Sequence, residues 1–162
     1  MTTAKGRIIL SSLSNCKSIN ADEYWLITRG GRDIAGFKRV FELAPLPALF
    51  HTYLTQWKGQ PGEVWWPRYR ERFNAQLATA QAQKRLHDLE ILTNNGYSVV
   101  LACYCRNERF CHRRLVGDYL AGRGVEVVSF NGMDPVREKE ASSSHDFEQL
   151  SLFSEEWEKA AE

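Results

Sequence analysis

The chain of 162 residues has no apolar run long enough to cross a bilayer, and Met1 to Lys5 lacks the basic start and apolar stretch of a signal peptide. Both absences lead to the expectation of a cytoplasmic protein without a membrane partner. Cysteine is sparse, at Cys16, Cys103, Cys105 and Cys111. In a reducing compartment these are expected as free thiols, so metal binding or reactivity is a better expectation than a disulfide framework. There is no internal repeat. Hydrophobic residues at 43% and charged residues at 25% exclude wholesale disorder, and the length suits one core.

The net charge of +1 hides an asymmetry. From Asp134 to Glu162 there are nine acidic and three basic side chains, whereas residues 1 to 133 hold 18 Lys and Arg against 11 Asp and Glu. A basic body with an acidic tail points to an anionic partner such as nucleic acid, nucleotide or phosphate, or to a solvated basic surface.

Arg7 to Leu13 and Tyr24 to Thr28 are short apolar runs bounded by Ser, Asn or Gly and read as strands. Leu46 to Trp57 has helical spacing, and Pro67 opens a second helical stretch to Leu92, broken near Thr79. Asn94-Asn95-Gly96 stops that helix. Tyr97 to Cys103 is a continuous apolar run, as expected of a strand covered on both faces. His112 to Ala121 reads as a helix ended by Gly122 and Gly124, and Val125 to Phe130 as a last strand. The predicted fold is α/β, three-layer and Rossmann-like, with a mostly parallel sheet of about four or more strands over residues 1–132. Residues 133–162, rich in charge and Ser, read as a flexible acidic C-terminal tail.

The densest chemistry is Cys103-Tyr104-Cys105-Arg106-Asn107-Glu108-Arg109-Phe110-Cys111-His112-Arg113-Arg114. It falls where a strand gives way to a helix, the usual ligand crevice of an α/β sheet. Alternation puts Cys103 and Cys105 on one side, with Cys111 and His112 opening the next helix. Basic residues in a first helical turn oppose the helix dipole, and a bound phosphate or carboxylate would relieve the conflict. As a metal site, Cys103, Cys105, Cys111 and His112 would hold zinc or an iron–sulfur cluster, although the spacing is not that of a standard finger and no cofactor is the simpler expectation. As a nucleophile, Cys103 or Cys111 would have its thiol acidified by the helix start and the arginines. The Cys103 to Arg109 spacing matches cysteine phosphatase loops but lacks their glycine. Alternatively the cysteines are small buried apolar groups and the arginines a solvated face.

Arg29-Gly30, Leu43-Ala44-Pro45, Leu101-Ala102-Cys103-Tyr104 and Phe110-Cys111-His112-Arg113 together resemble the bacterial family called domain of unknown function 488, from about Arg7 to Phe130. The family's hallmark is a strand ending in Leu-Cys followed eight residues later by Cys-His-Arg. The resemblance implies an α/β fold with a pocket around Cys103, Cys111, His112 and Arg113, and singles out Arg29 and Tyr69. Family members usually carry Glu where this chain has Cys105, so no acid or base role is carried to that position.

In the tail, Gln149-Leu150-Ser151-Leu152-Phe153 resembles the pentapeptide by which bacterial polymerases and repair proteins bind the sliding clamp. Such a peptide anchors through the Gln hydrogen bonds and three apolar side chains. The competing reading is an amphipathic helix, with Phe147, Leu150 and Trp157 on one face. Trp57, Trp65, Trp66 and Tyr69 interleave with Arg68, Arg70 and Arg72, as in single-strand binding surfaces or in ordinary helix packing. The expected function is replication or repair, with recruitment to the clamp and a pocket for nucleic acid or nucleotide in which Arg29, Arg113 and Arg114 hold the anion. His112 would move protons, and Cys111 or Cys103 would attack or bind metal. A non-enzymatic or inhibitory clamp-binding module, and a metal or redox protein unrelated to the clamp, are the alternatives.

Overall fold

A computed structural model describes residues 4–105 and 107–130. Five strands, β1 (Ile8–Ser12), β2 (Glu23–Leu26), β3 (Lys38–Arg39), β4 (Val99–Cys103) and β5 (Val127–Phe130), form one sheet in the order β3-β2-β4-β1-β5. Every pairing is parallel. All residues of β1 and β4 are buried, so their unbroken apolar runs reflect a position inside the sheet with both faces covered. The edge strands are short, and β5 is only half-buried.

The helices are α1 (Pro47–Thr52), α2 (Gly62–Leu77), α3 (Ala80–Asn94) and α4 (His112–Gly122), with a single π turn, Tyr53–Trp57, running on from α1. All four pack one main core with Ile8, Leu10, Trp25, Val99 and Leu101. The third layer is thinner: a 3-10 segment, Leu13–Ser18, and the loops around it cover Ile9, Val100 and Ala102 with Cys16, Ile19 and Phe37. None of these helices is long and apolar enough to cross a membrane.

Thr79 caps α3 by accepting a hydrogen bond from the Ala82 backbone N–H, so the break expected there is a true N-cap. Gly96 at φ +88° ends α3, and Gly124 at φ +89° ends α4, conformations that suit glycine. Gly122 differs from expectation, being the last residue of α4 rather than its stop. So does Pro67, which lies inside α2. That helix starts at Gly62, where the Trp65 indole N–H donates to the Gln60 carbonyl at 3.2 Å and a Cβ would come 2.5 Å from the Phe110 ring. Tertiary packing, not the proline, decides where α2 begins. Gly62→Ala, which on an exposed helix gains up to about 1 kcal/mol, is therefore expected to cost about 2 kcal/mol by overpacking. Urea denaturation of the two proteins measures the sign.

Candidate thiolate site

The parallel register brings the carboxyl ends of β1, β2 and β4 together, with Ser12 opposite Cys103 and Leu26 opposite Ala102. The chain leaves β2 as Ile27-Thr28-Arg29, with the Ile27 N–H still donating to the Ala102 carbonyl. Cys103 ends β4, and Cys111 is the N-cap of α4. The first turn of α4 therefore faces the strand ends, the expected ligand crevice of such a sheet.

Three sulfurs gather there. The Sγ atoms of Cys103, Cys105 and Cys111 all lie within 4.8 Å of one another, and Cys103 and Cys111 are 2.9 Å apart. Arg113, 2% exposed, donates through Nη1 to Cys103 Sγ at 3.0 Å, and also to the Cys105 carbonyl, with Cys111 Sγ at 3.8 Å. Its Nε is 3.9 Å from a Glu108 carboxylate oxygen. Burial alone would raise the Cys103 pKa, but hydrogen bonds from the Cys105 and Cys111 thiols and the Arg113 charge outweigh it and bring it well below the ordinary thiol value. Cys105, donating to Cys103, is pushed up to about 12. Burial, and then its bonds to the other two sulfurs, raise Cys111 well above the ordinary value. The trio thus favours the thiolate form at Cys103 and the protonated form at Cys105 and Cys111. The α4 N-terminus adds its partial positive charge.

His112 is buried, with Nε2 2.5 Å from the Ile27 carbonyl oxygen. That contact requires the tautomer with a proton on Nε2, and burial lowers the ring's pKa and keeps it neutral. Its one lone pair, on Nδ1, meets the Cys111 sulfur at 3.9 Å. His112 is therefore outside the metal-ligand group expected from the sequence, which reduces to three cysteines among the described residues. Cys16 lies in the other core, with its thiol donating to the Ser12 carbonyl at 3.3 Å.

The arginines divide differently from expectation. Arg113 is aimed at the Cys103 sulfur rather than into the open crevice, and Arg114, its neighbour, is outside the crevice, paired with Glu108 at 3.3 Å and Asp118 at 3.1 Å. The charge conflict at the start of α4 is thus answered by groups of the protein itself. Arg29 does border the site, held by the Pro45 and Phe41 carbonyls at 2.9 and 3.1 Å. Gln76 in turn fixes that loop, donating to the Ala44 carbonyl at 2.5 Å and accepting from the Leu46 N–H at 2.9 Å.

Cys103, Cys105 and Cys111 line a cleft of about 60 Å³ that also meets Arg29, Lys58, Tyr53, Trp65, Tyr69 and Phe110. By volume it takes roughly four waters. Lys58 carried no signal in the sequence, since it comes from the turn after Trp57, far along the chain. Trp57, Trp65 and Tyr69, read as a possible base-stacking set, are buried in the core with rings 5.7 to 6.2 Å apart. The Tyr53 phenol is pushed up to about 12 and Tyr69 well above its usual value, mainly by burial, so both remain protonated.

Arg106 and the tail peptide Gln149 to Phe153 lie outside the described residues. No curated protein and no solved structure matches the chain. A family model, DUF488-N3a, described as the active DUF488-N3 subclade, matches residues 17–124. Because this span is two-thirds of the sequence and holds every residue of the thiol cluster, the chain belongs to the DUF488-N3a family.

Proposed function

We propose that the protein is a cysteine-dependent enzyme of DNA replication or repair, acting on a nucleotide or nucleic acid with Cys103 as nucleophile. The observation that carries this reading is the guanidinium of Arg113 at 3.0 Å from a sulfur on the wall of an aromatic cleft. A thiolate is the reactive form of cysteine, and two thiol donors with the Arg113 guanidinium favour it at Cys103 against the effect of burial. Arg29 and Lys58 supply positive charge at the cleft for a phosphate, while Tyr53, Trp65 and Phe110 offer apolar walls for a planar group. The cleft is too small for a whole nucleotide, so the substrate would enter by its reacting end and leave sugar and phosphate at the rim. His112 turns its Nδ1 toward the Cys111 sulfur at 3.9 Å, so the neutral ring borders the thiol trio. The tail peptide resembling clamp-binding motifs would bring this body to the replication machinery.

A zinc site is the second reading, favoured by the number of thiols: three protein ligands with an open fourth position is the pattern of catalytic zinc. Two sulfurs on one tetrahedral zinc keep about 3.8 Å between them, so Cys103 and Cys111 would have to part from 2.9 Å. Arg113 would then neutralise the net charge of a zinc held by three thiolates. An iron–sulfur cluster calls for four protein ligands, one more than the described residues gather.

The two readings separate by ultraviolet thiolate absorbance and metal analysis of anaerobically purified protein. One thiolate per chain at pH 7, absent in Cys103→Ser, without stoichiometric zinc, is the expected result. Stoichiometric zinc lost in Cys111→Ser would establish the metal site instead, and a fully protonated trio would overturn both.

A further inference from the structure

A second cleft of about 340 Å³ opens beside the thiol site, and three separate elements build it. Trp66 and Arg70 come from α2, one helical turn apart; Arg109 from the 3-10 turn Glu108–Phe110; and Arg114 from α4. Its two carboxylates, Glu108 and Asp118, both pair with Arg114, and three arginines against two carboxylates leave the cleft with a net positive charge. Arg70 and Arg109 have no carboxylate partner among the described residues; the Arg109 guanidinium instead lies over the Phe110 ring, 5.1 Å from its centroid.

The aromatic component is equally placed. Trp66 is stacked on Tyr69 with planes 15° apart, which fixes the indole, and it still borders the cleft. The Phe110 ring, which lines the thiol cleft, is 6.0 Å from the Trp66 ring, so the aromatic walls of the two clefts are in contact.

We infer that this second cleft is a binding track for single-stranded DNA, which delivers a base or strand end to the thiol site. The inference rests on the proposed reading of that site and deepens it by naming the substrate class. A fixed indole flanked by unmatched guanidinium groups is the combination by which single strands are held, bases stacking while arginines meet the phosphates. Duplex DNA keeps its bases stacked on each other and has no face to offer Trp66. Trp66 is thus the part of the interleaved aromatic and basic sequence that reaches the surface, its neighbour Trp65 being core.

The test is fluorescence anisotropy of a labelled 20-mer of thymidylate titrated with the full chain, reduced, over a series of salt concentrations. Binding in the micromolar range at low salt is expected. Arg70→Gln with Arg109→Gln should weaken it about tenfold and reduce the salt slope by roughly 1.4, because two phosphates of a single strand are no longer neutralised. Trp66→Leu should weaken binding about tenfold, leaving the salt slope unchanged. Absence of binding, equal affinity for a duplex of the same length, or indifference to all three substitutions would overturn the inference. Cys103→Ser separates this from the chemistry: retained oligonucleotide affinity is expected there, so a failed thiolate leaves the track standing, and a failed track leaves the thiolate measurement intact.

Discussion

Replacing Arg113 by methionine is expected to return Cys103 to an ordinary or higher thiol pKa and to lower the stability of the domain by about 3 kcal/mol, the low end for removing one partner of a buried ion pair. Methionine keeps much of the side-chain volume, so the loss reports on charge and hydrogen bonds more than on a cavity. The cost stays at the low end because the abandoned thiolate can take a proton instead of remaining charged. The pH dependence gives the sign independently. Cys103 has a folded-state pKa below its unfolded one, near 9, so its contribution is complete above about pH 9 and is lost as pH falls through the folded value. Cys105 and Cys111 are raised, so theirs is complete below about pH 9 and is lost as pH climbs, toward about 12 for Cys105. The wild-type protein should therefore gain stability from neutral pH toward 9 and lose it beyond, whereas Arg113→Met should lack the rise on the acid side. Urea denaturation in a reductant across this range measures both limbs. A flat wild-type profile from pH 6 to 9, with unchanged thiolate absorbance in the variant, would rule out the ion pair.

Titrating a bacterial sliding clamp with the full chain should give a dissociation constant in the micromolar range, about −8 kcal/mol, that the double substitution Leu152→Ala, Phe153→Ala weakens at least a hundredfold. Gln149-Leu150-Ser151-Leu152-Phe153 lies outside the described residues, so this expectation rests on sequence chemistry. Short peptides of this kind gain most of their affinity from apolar side chains entering pockets on the partner. Removing two of three such anchors leaves little but backbone bonding. Weak recruitment suits the proposed DNA-binding role of the body, because tethering raises the local concentration of one ligand while the other is engaged. Calorimetry decides it: no binding returns the tail to an amphipathic segment with Phe147 and Trp157, and binding unaffected by the substitutions moves the contact elsewhere on the protein.

Much of the architecture was legible in the amino acids because the signals are local. The run Tyr97 to Cys103 reads as a strand in the middle of a sheet, and Val99–Cys103 within it is one. Thr79 and Gly96 punctuate helices through their own side chain or their lack of one. Local signals failed at β3, whose two residues hold too little pattern to detect, and at Pro67, where aromatic packing against Phe110 and Gln60 moved the helix start five residues upstream. Strand order was equally out of reach, since β1 separates β4 from β5 although they are consecutive in the chain.

The sequence by itself determined the meeting of cysteine, histidine and arginine, because Cys103 to Arg113 spans one strand end, one loop and one helical turn, and that short connection keeps the groups together in any α/β arrangement. Only the tertiary structure decided what each group faces. Arg113 and Arg114 are neighbours, yet a helix turns about 100° per residue, so one enters the core to hold a sulfur and the other meets Glu108 and Asp118 outside. Arg29 and Lys58 reach the same cleft through the parallel register and the turn after α1, which join residues distant in the chain. The acidified thiol itself belongs to that second level, since it depends on two thiol donors and a guanidinium converging within a few ångströms and outweighing the effect of burial.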